Sequence, residues 1–224
     1  MLASSIRGTR GWRWTAAAAL LTVAAGTAGC GQQNTEGRSP SYLVIESLQA
    51  ASGAKPTTFS GTLDSDVITL VSSTVGGEDV FAPTVFEDIG QVKLRMALKD
   101  VGSATSVTTP TATNLITVTS YHVEYKRSDG RQTQGVDVPY AFDGAATGTI
   151  GTDGTLLSFA IVRAQAKLEA PLKALQGGGG AIVISTIAEV TFYGKDQNGN
   201  SVSVTGAISV NFADWGDPSS SSKK

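Results

Sequence analysis

A two-residue alternation of apolar and polar side chains is the feature of this chain that most restricts its fold. Residues 91–99 place Val92, Leu94, Met96 and Leu98 on one face and Lys93, Arg95 and Lys99 on the other. Residues 201–212 repeat the pattern, with Val202, Val204, Ile208, Val210 and Phe212 opposing Ser201, Ser203, Thr205, Ser209 and Asn211. A helix would need a period near 3.6, whereas a period of two describes a strand with one face in a core and one in water. Further strand candidates are 42–49, 67–72, 114–127, 155–167 and 181–194, with a weaker one at 136–142. Abundant Gly, Ser, Thr and Val suit strands and turns. Asn198-Gly199 between two strand patterns signals a hairpin of type I′, whose central residues both need positive φ. Asp129-Gly130 and Asp153-Gly154 are further turn signals, and Pro139 suits an edge or a strand start.

These observations predict an all-β fold, an antiparallel two-sheet sandwich of about seven or eight strands. The spacing leaves long loops, such as 50–66 and 100–113. The one helical pattern, RAQAKLEAPLKALQ at 163–176, is interrupted by Pro171. The strand is therefore expected to run to about Leu168, with at most one short helix near 170–176 and a flexible link at 177–180. The chain has one cysteine, so no internal disulfide can staple the core.

The first thirty residues have a different character. Arg7, Arg10 and Arg13 precede an apolar run, AAAALLTVAA at 16–25, and small residues lead to Cys30. Basic, apolar and small-residue regions in that order describe a secretory signal. The run is about half the roughly twenty residues a bilayer-spanning helix needs. The stretch Thr27-Ala28-Gly29-Cys30 resembles the lipobox of bacterial lipoproteins. Ala28 and Gly29 fit that pattern, while Thr27 stands where Leu, Val or Ile is usual. The resemblance implies a diacylglyceryl group on the Cys30 thiol and cleavage just before it. It also implies acyl chains holding the mature protein on a membrane. In the same class Asp after the cysteine commonly retains the protein in the inner membrane. Gly31 stands there instead, which points to the outer membrane in a two-membrane host.

The expected organisation is a cleaved signal at 1–29 and a lipidated, flexible tether at 30–41. A β-sandwich domain at 42–215 and a disordered polar tail at 216–224 follow. Removing 1–29 leaves 14 basic and 19 acidic side chains, a net charge near −5. No basic stripe remains for nucleic acid or for anionic lipid, so the acyl chains carry the anchoring. The hairpin at 191–206, with its D-x-x-G-N turn, resembles the last hairpin of bacterial immunoglobulin-like domains. That likeness implies the sandwich and no particular ligand.

The search for chemistry returns little. His122 is the only histidine. It alternates in phase with Ser120, Glu124 and Lys126, the face expected to meet solvent, and residues two apart in a strand do not form a catalytic relay. One histidine and a lipidated cysteine do not make a zinc site. Asp196, Asn198 and Asn200 form D-x-N-x-N, but Ser201 and Ala207 occupy the places where a calcium loop needs Gly and Glu, and a hairpin turn is the simpler reading. Asp64/Asp66, Glu78/Asp79 and Glu87/Asp88 read as solvated loop acids. The segment 177–180 lacks the Lys-Ser/Thr of a P-loop. Gly144, Gly148, Gly151 and Gly154 miss the dinucleotide fingerprint and read as loops and turns. Tyr121 and Tyr125 share the core face with Val123, and Trp215 is placed to cap the sandwich. No catalytic residue, metal or cofactor is expected. The expected role is binding or envelope structure through an unknown protein or glycan partner. A carbohydrate-binding module and, behind it, a carboxylate hydrolase are the alternatives.

Overall fold

A computed structural model describes residues 37–215. The signal region with Thr27, Ala28 and Gly29, the proposed lipid site Cys30, and the tail 216–224 lie outside the described residues. The fold is all-β, with twelve strands among the described residues rather than seven or eight. They are β1 (Ser41–Ala51), β2 (Thr62–Asp66), β3 (Thr69–Val75), β4 (Glu78–Thr84), β5 (Asp88–Leu98), β6 (Gly102–Ser103), β7 (Ser106–Val107), β8 (Ile116–Arg127), β9 (Phe142–Ile150), β10 (Thr155–Val162), β11 (Ile184–Asp196) and β12 (Ser201–Ala213). One sheet has the order β1-β5-β10 and the other β2-β12-β11-β8-β9, while β3-β4 and β6-β7 form separate hairpins.

The strongest sequence patterns became the central strands. β5 buries Val92, Leu94 and Met96, and β12 buries Val202, Ile208, Val210 and Phe212. These side chains share one hydrophobic core with Tyr121 and Tyr125 of β8, Phe159 of β10 and Phe192 of β11. Phe159 meets Phe192 and Tyr121 edge-on, each at 5.2 Å between ring centroids, so aromatic contacts join the two sheets. The tyrosine hydroxyls also cross between sheets. Tyr121 accepts a hydrogen bond from the Ala160 N–H at 3.1 Å, and Tyr125 donates to the Ile161 carbonyl. Backbone groups of β10 thus find partners in the opposite sheet.

Several expectations need correction. β2 pairs with β12 in parallel, so the fold is not wholly antiparallel. The strand after Thr155 stops at Val162. A four-residue helix α1 (Ala164–Lys167) and a 3-10 turn (Leu172–Leu175) follow, with another 3-10 turn at Ala112–Asn114. The expected strand at 136–142 is largely irregular, and β9 begins where it was expected to end. β9 carries Gly144 and Gly148, which had read as loop. Gly144 belongs in a strand because the Tyr121 ring fills its side-chain space; a Cβ there would lie 2.3 Å from that ring. The loop 50–66 shortens to 52–61, and 100–113 contains β6, β7 and part of a 3-10 turn. The Asn198-Gly199 hairpin joins β11 to β12, but only Gly199 has positive φ (83°), so the turn is not type I′. Gly199 N–H bonds to Asp196 C=O and Asp196 N–H to Asn200 C=O, each at 3.0 Å, the pattern of a three-residue loop with a glycine bulge.

Residues 37–40, the described part of the polar stretch before β1, dock against the fold. Lys99 Nζ donates to the Gly37 carbonyl at 2.9 Å, and the Ser41 hydroxyl to the Asn114 carbonyl at 2.7 Å. Among the described residues no helix is long and apolar enough to cross a membrane.

Candidate functional site

β1 runs eleven residues from this docked entry to the opposite pole of the domain, a span of roughly 35 Å at the usual strand rise. At that far pole a cavity of about 630 Å³ opens among the end of β1, the loop after it, β2 and the last described residue, Trp215. Its volume falls within the range of small-molecule sites.

The walls follow from local sequence. After Ala51 the chain turns through Ser52, Gly53 and Ala54, and Lys55 N–H bonds to the Ser52 carbonyl at 2.8 Å. It then folds back, so that Ser60 and Ala50 exchange backbone hydrogen bonds of 2.9 Å. β2 forms the other wall. Its Leu63 points into the core, while the Asp64 carboxylate accepts from Asn211 Nδ2 at 3.0 Å. Asp66 accepts from the Thr69 hydroxyl at 2.6 Å and from the Trp215 backbone N–H at 3.0 Å, pinning the tryptophan main chain to this wall. Ser52, Thr58, Ser60, Thr62 and Thr69 contribute hydroxyls, and Lys55 is the one cation in the lining.

A single buried carboxylate clamps both walls from behind. Asp88 is fully buried and lies 2.8 Å from Nζ of the equally buried Lys167. Its Oδ1 accepts from the Gly53 N–H at 2.7 Å, and its Oδ2 from the Ser65 hydroxyl at 2.6 Å. Gly53 sits between lining residues of the loop and Ser65 between those of β2. Two side-chain atoms on the cavity walls are buried without a hydrogen-bond partner among the described residues: Ser52 Oγ and Trp215 Nε1. An unsatisfied buried donor or acceptor ordinarily costs about 1–3 kcal/mol, and such groups call for an explanation.

Asp66 and Asp88 are therefore not the solvated loop acids the sequence suggested; both are buried. No local signal could have revealed this for Asp88, whose cation lies 79 residues away. Trp215, expected to cap the sandwich, is half-buried and lines the cavity at the far pole. His122 does lie on the outer face of β8, but it is paired: Nδ1 lies 2.8 Å from Asp143 Oδ1. Asp143 carried no signal in the sequence, because the glycines of β9 read as loop. Tyr121, Val123 and Tyr125 are core residues. The D-x-N-x-N stretch is occupied by its own turn: Asp196 Oδ1 accepts from the N–H groups of Asn198 and Asn200 at 2.9 Å each, and Oδ2 from Asn200 Nδ2 at 2.8 Å. Burial raises the Asp196 pKa, but hydrogen bonds from Asn200, Ser39 and Asn198 outweigh it and hold the carboxyl below its ordinary value. Among the described residues no group of three or more His, Cys, Asp or Glu is placed to hold a metal ion.

A second cavity, about 890 Å³, lies at the entry pole and is lined in part by Tyr42, Lys99, Tyr193 and Lys195. Its walls hold no buried polar atom lacking a partner among the described residues, which makes the far-pole cavity the stronger candidate. Comparison with protein-family models, curated proteins and solved structures found no match.

Proposed function

We propose that this chain is a bacterial lipoprotein, held on a membrane by acyl chains on Cys30, that presents a non-enzymatic immunoglobulin-like domain as a binding module. The observation that carries the reading is polarity. The chain enters the fold at one pole, seven residues after Cys30, and the cavity opens at the other. A fully extended tether from Cys30 to Gly37 reaches roughly 25 Å, so the entry pole stays near the membrane and the cavity points away.

The immunoglobulin-like part of the reading rests on strand order. β1-β5-β10 facing β2-β12-β11-β8-β9 follows the order A-B-E facing A′-G-F-C-C′, with β2 and β12 as the parallel A′–G pair. Tyr121, on the strand matching C, packs between the sheets against Phe159 and Phe192, and antibody domains likewise bury an aromatic residue, a tryptophan, on that strand. The binding role rests on the far-pole cavity. Its two acids sit on one strand and both are engaged in local hydrogen bonds, which gives a hydrolase no pair of carboxylates facing each other across a cleft.

Membrane fractionation of cells making wild type and Cys30→Ala tests the anchoring. Wild type is expected in the detergent-soluble membrane fraction and the variant outside it. Equal membrane retention of both would refute a lipid anchor on Cys30.

A further inference from the structure

We infer that the far-pole cavity binds a neutral saccharide, seated against Trp215 and hydrogen-bonded through Trp215 Nε1 and Ser52 Oγ. The inference rests on the binding-module reading and adds the ligand class.

The donor set selects this chemistry. Trp215 Nε1 is a donor only, and the Ser52 hydroxyl can donate or accept. Both are buried without partners among the described residues. The ligand must therefore bring an acceptor to the indole, and an ammonium group has none to give. The lining acids argue against an anion: Asp64 and Asp66 face it with Lys55 as the only cation. A sugar hydroxyl both donates and accepts, so it can serve Asp64 and the indole N–H together. The five Ser and Thr hydroxyls of the lining extend the same pattern. An indole ring supplies an apolar face with a polar edge, matching a pyranose, which has apolar C–H faces and a hydroxyl rim. Because Nε1 is sealed from water, its hydrogen bond to the ligand requires a small rotation of the ring toward the cavity.

That rotation can be observed directly. Trp215 is the only tryptophan downstream of Cys30, so emission excited selectively from tryptophan rather than tyrosine reports on this cavity. The test titrates the mature, detergent-solubilised protein with cellohexaose, maltohexaose and chitohexaose, and with hexagalacturonic acid as the anionic comparator. A saturable change in emission is expected with at least one neutral sugar, at least tenfold tighter than with the acid. Ser52→Ala should weaken that binding at least fivefold while its unfolding temperature stays within a few degrees of wild type. Trp215→Phe, followed by calorimetry, should weaken it by a similar factor, since it keeps a ring and loses the donor. No saturable response to any neutral sugar, tighter binding of the acid, or unchanged affinity in both variants would overturn the proposal. These results are independent of where the protein resides, so they can fail while the Cys30 anchor stands, and the reverse.

Discussion

Asp88 and Lys167 are stripped of water together, and at that depth each charge depends on the other. Removing two ions from water costs several kcal/mol apiece, recovered only when the geometry is good and further hydrogen bonds fill the remaining sites. Asp88 meets that condition with Lys167, Gly53 and Ser65. Lys167→Met leaves the carboxylate buried without its cation, and should lower the unfolding free energy by about 3–5 kcal/mol in a urea titration. A loss under about 1 kcal/mol would mean that water or another cation replaces it. Replacing both partners with apolar residues of similar size should return much of the loss. The double variant should still loosen the cavity, since nothing would then hold Gly53 to Ser65. At this scale the sequence was least informative. Asp88 reads as one of a pair of loop acids and Lys167 as part of an interrupted helical pattern. With Gly53 and Ser65 the pair draws on four segments, the loop after β1, β2, β5 and α1, that only the fold brings together. Trp215 was expected as a cap, but its partner Asp66 was not legible.

Among the elements, the β11–β12 hairpin shows how a turn of polar residues stabilises a long strand pair. The Asp196 carboxylate gathers two backbone N–H groups and the Asn200 amide. Its pKa is lowered in the folded protein, so its contribution is fully present above the unfolded aspartate value, near 3.9. That contribution is lost as pH falls through the folded value. Asp196→Asn keeps the shape but has one acceptor oxygen instead of two. It should be less stable than wild type by about 1–2 kcal/mol at pH 7, and urea titrations should show the gap closing below about pH 4. A gap constant from pH 7 to pH 3 would exclude the carboxylate as its source. Elements with clean alternation, β5, β8, β11 and β12, were legible because one face of each is buried and the other wetter. β9 was not, because Gly144 replaces an apolar side chain so that the Tyr121 ring can fill the gap. β2 was not, because two of its buried residues are Ser65 and Asp66, held by hydrogen bonds rather than by apolarity. The all-β class survived these omissions, since it rests on the period of the strong strands.

At the scale of the molecule, the two ends differ: Lys99 and Asn114 hold Gly37 and Ser41 at the entry end, and the far end bears the cavity. On the proposed cleavage before Cys30 the remaining chain is acidic and has no basic stripe, so the proposed acyl chains would carry the attachment to an anionic surface. Two or three such chains, at about 0.8 kcal/mol per buried methylene, suffice for stable anchoring. The orientation proposed for the cavity, away from the membrane, depends on that attachment. The measurement that reaches this claim most directly is mass spectrometry of the protein extracted from membranes, wild type beside Cys30→Ala. The account predicts a wild-type N-terminus at Cys30 carrying a diacylglyceryl mass, and no such mass in the variant. An N-terminus upstream of Cys30, or an unmodified Cys30, would contradict it.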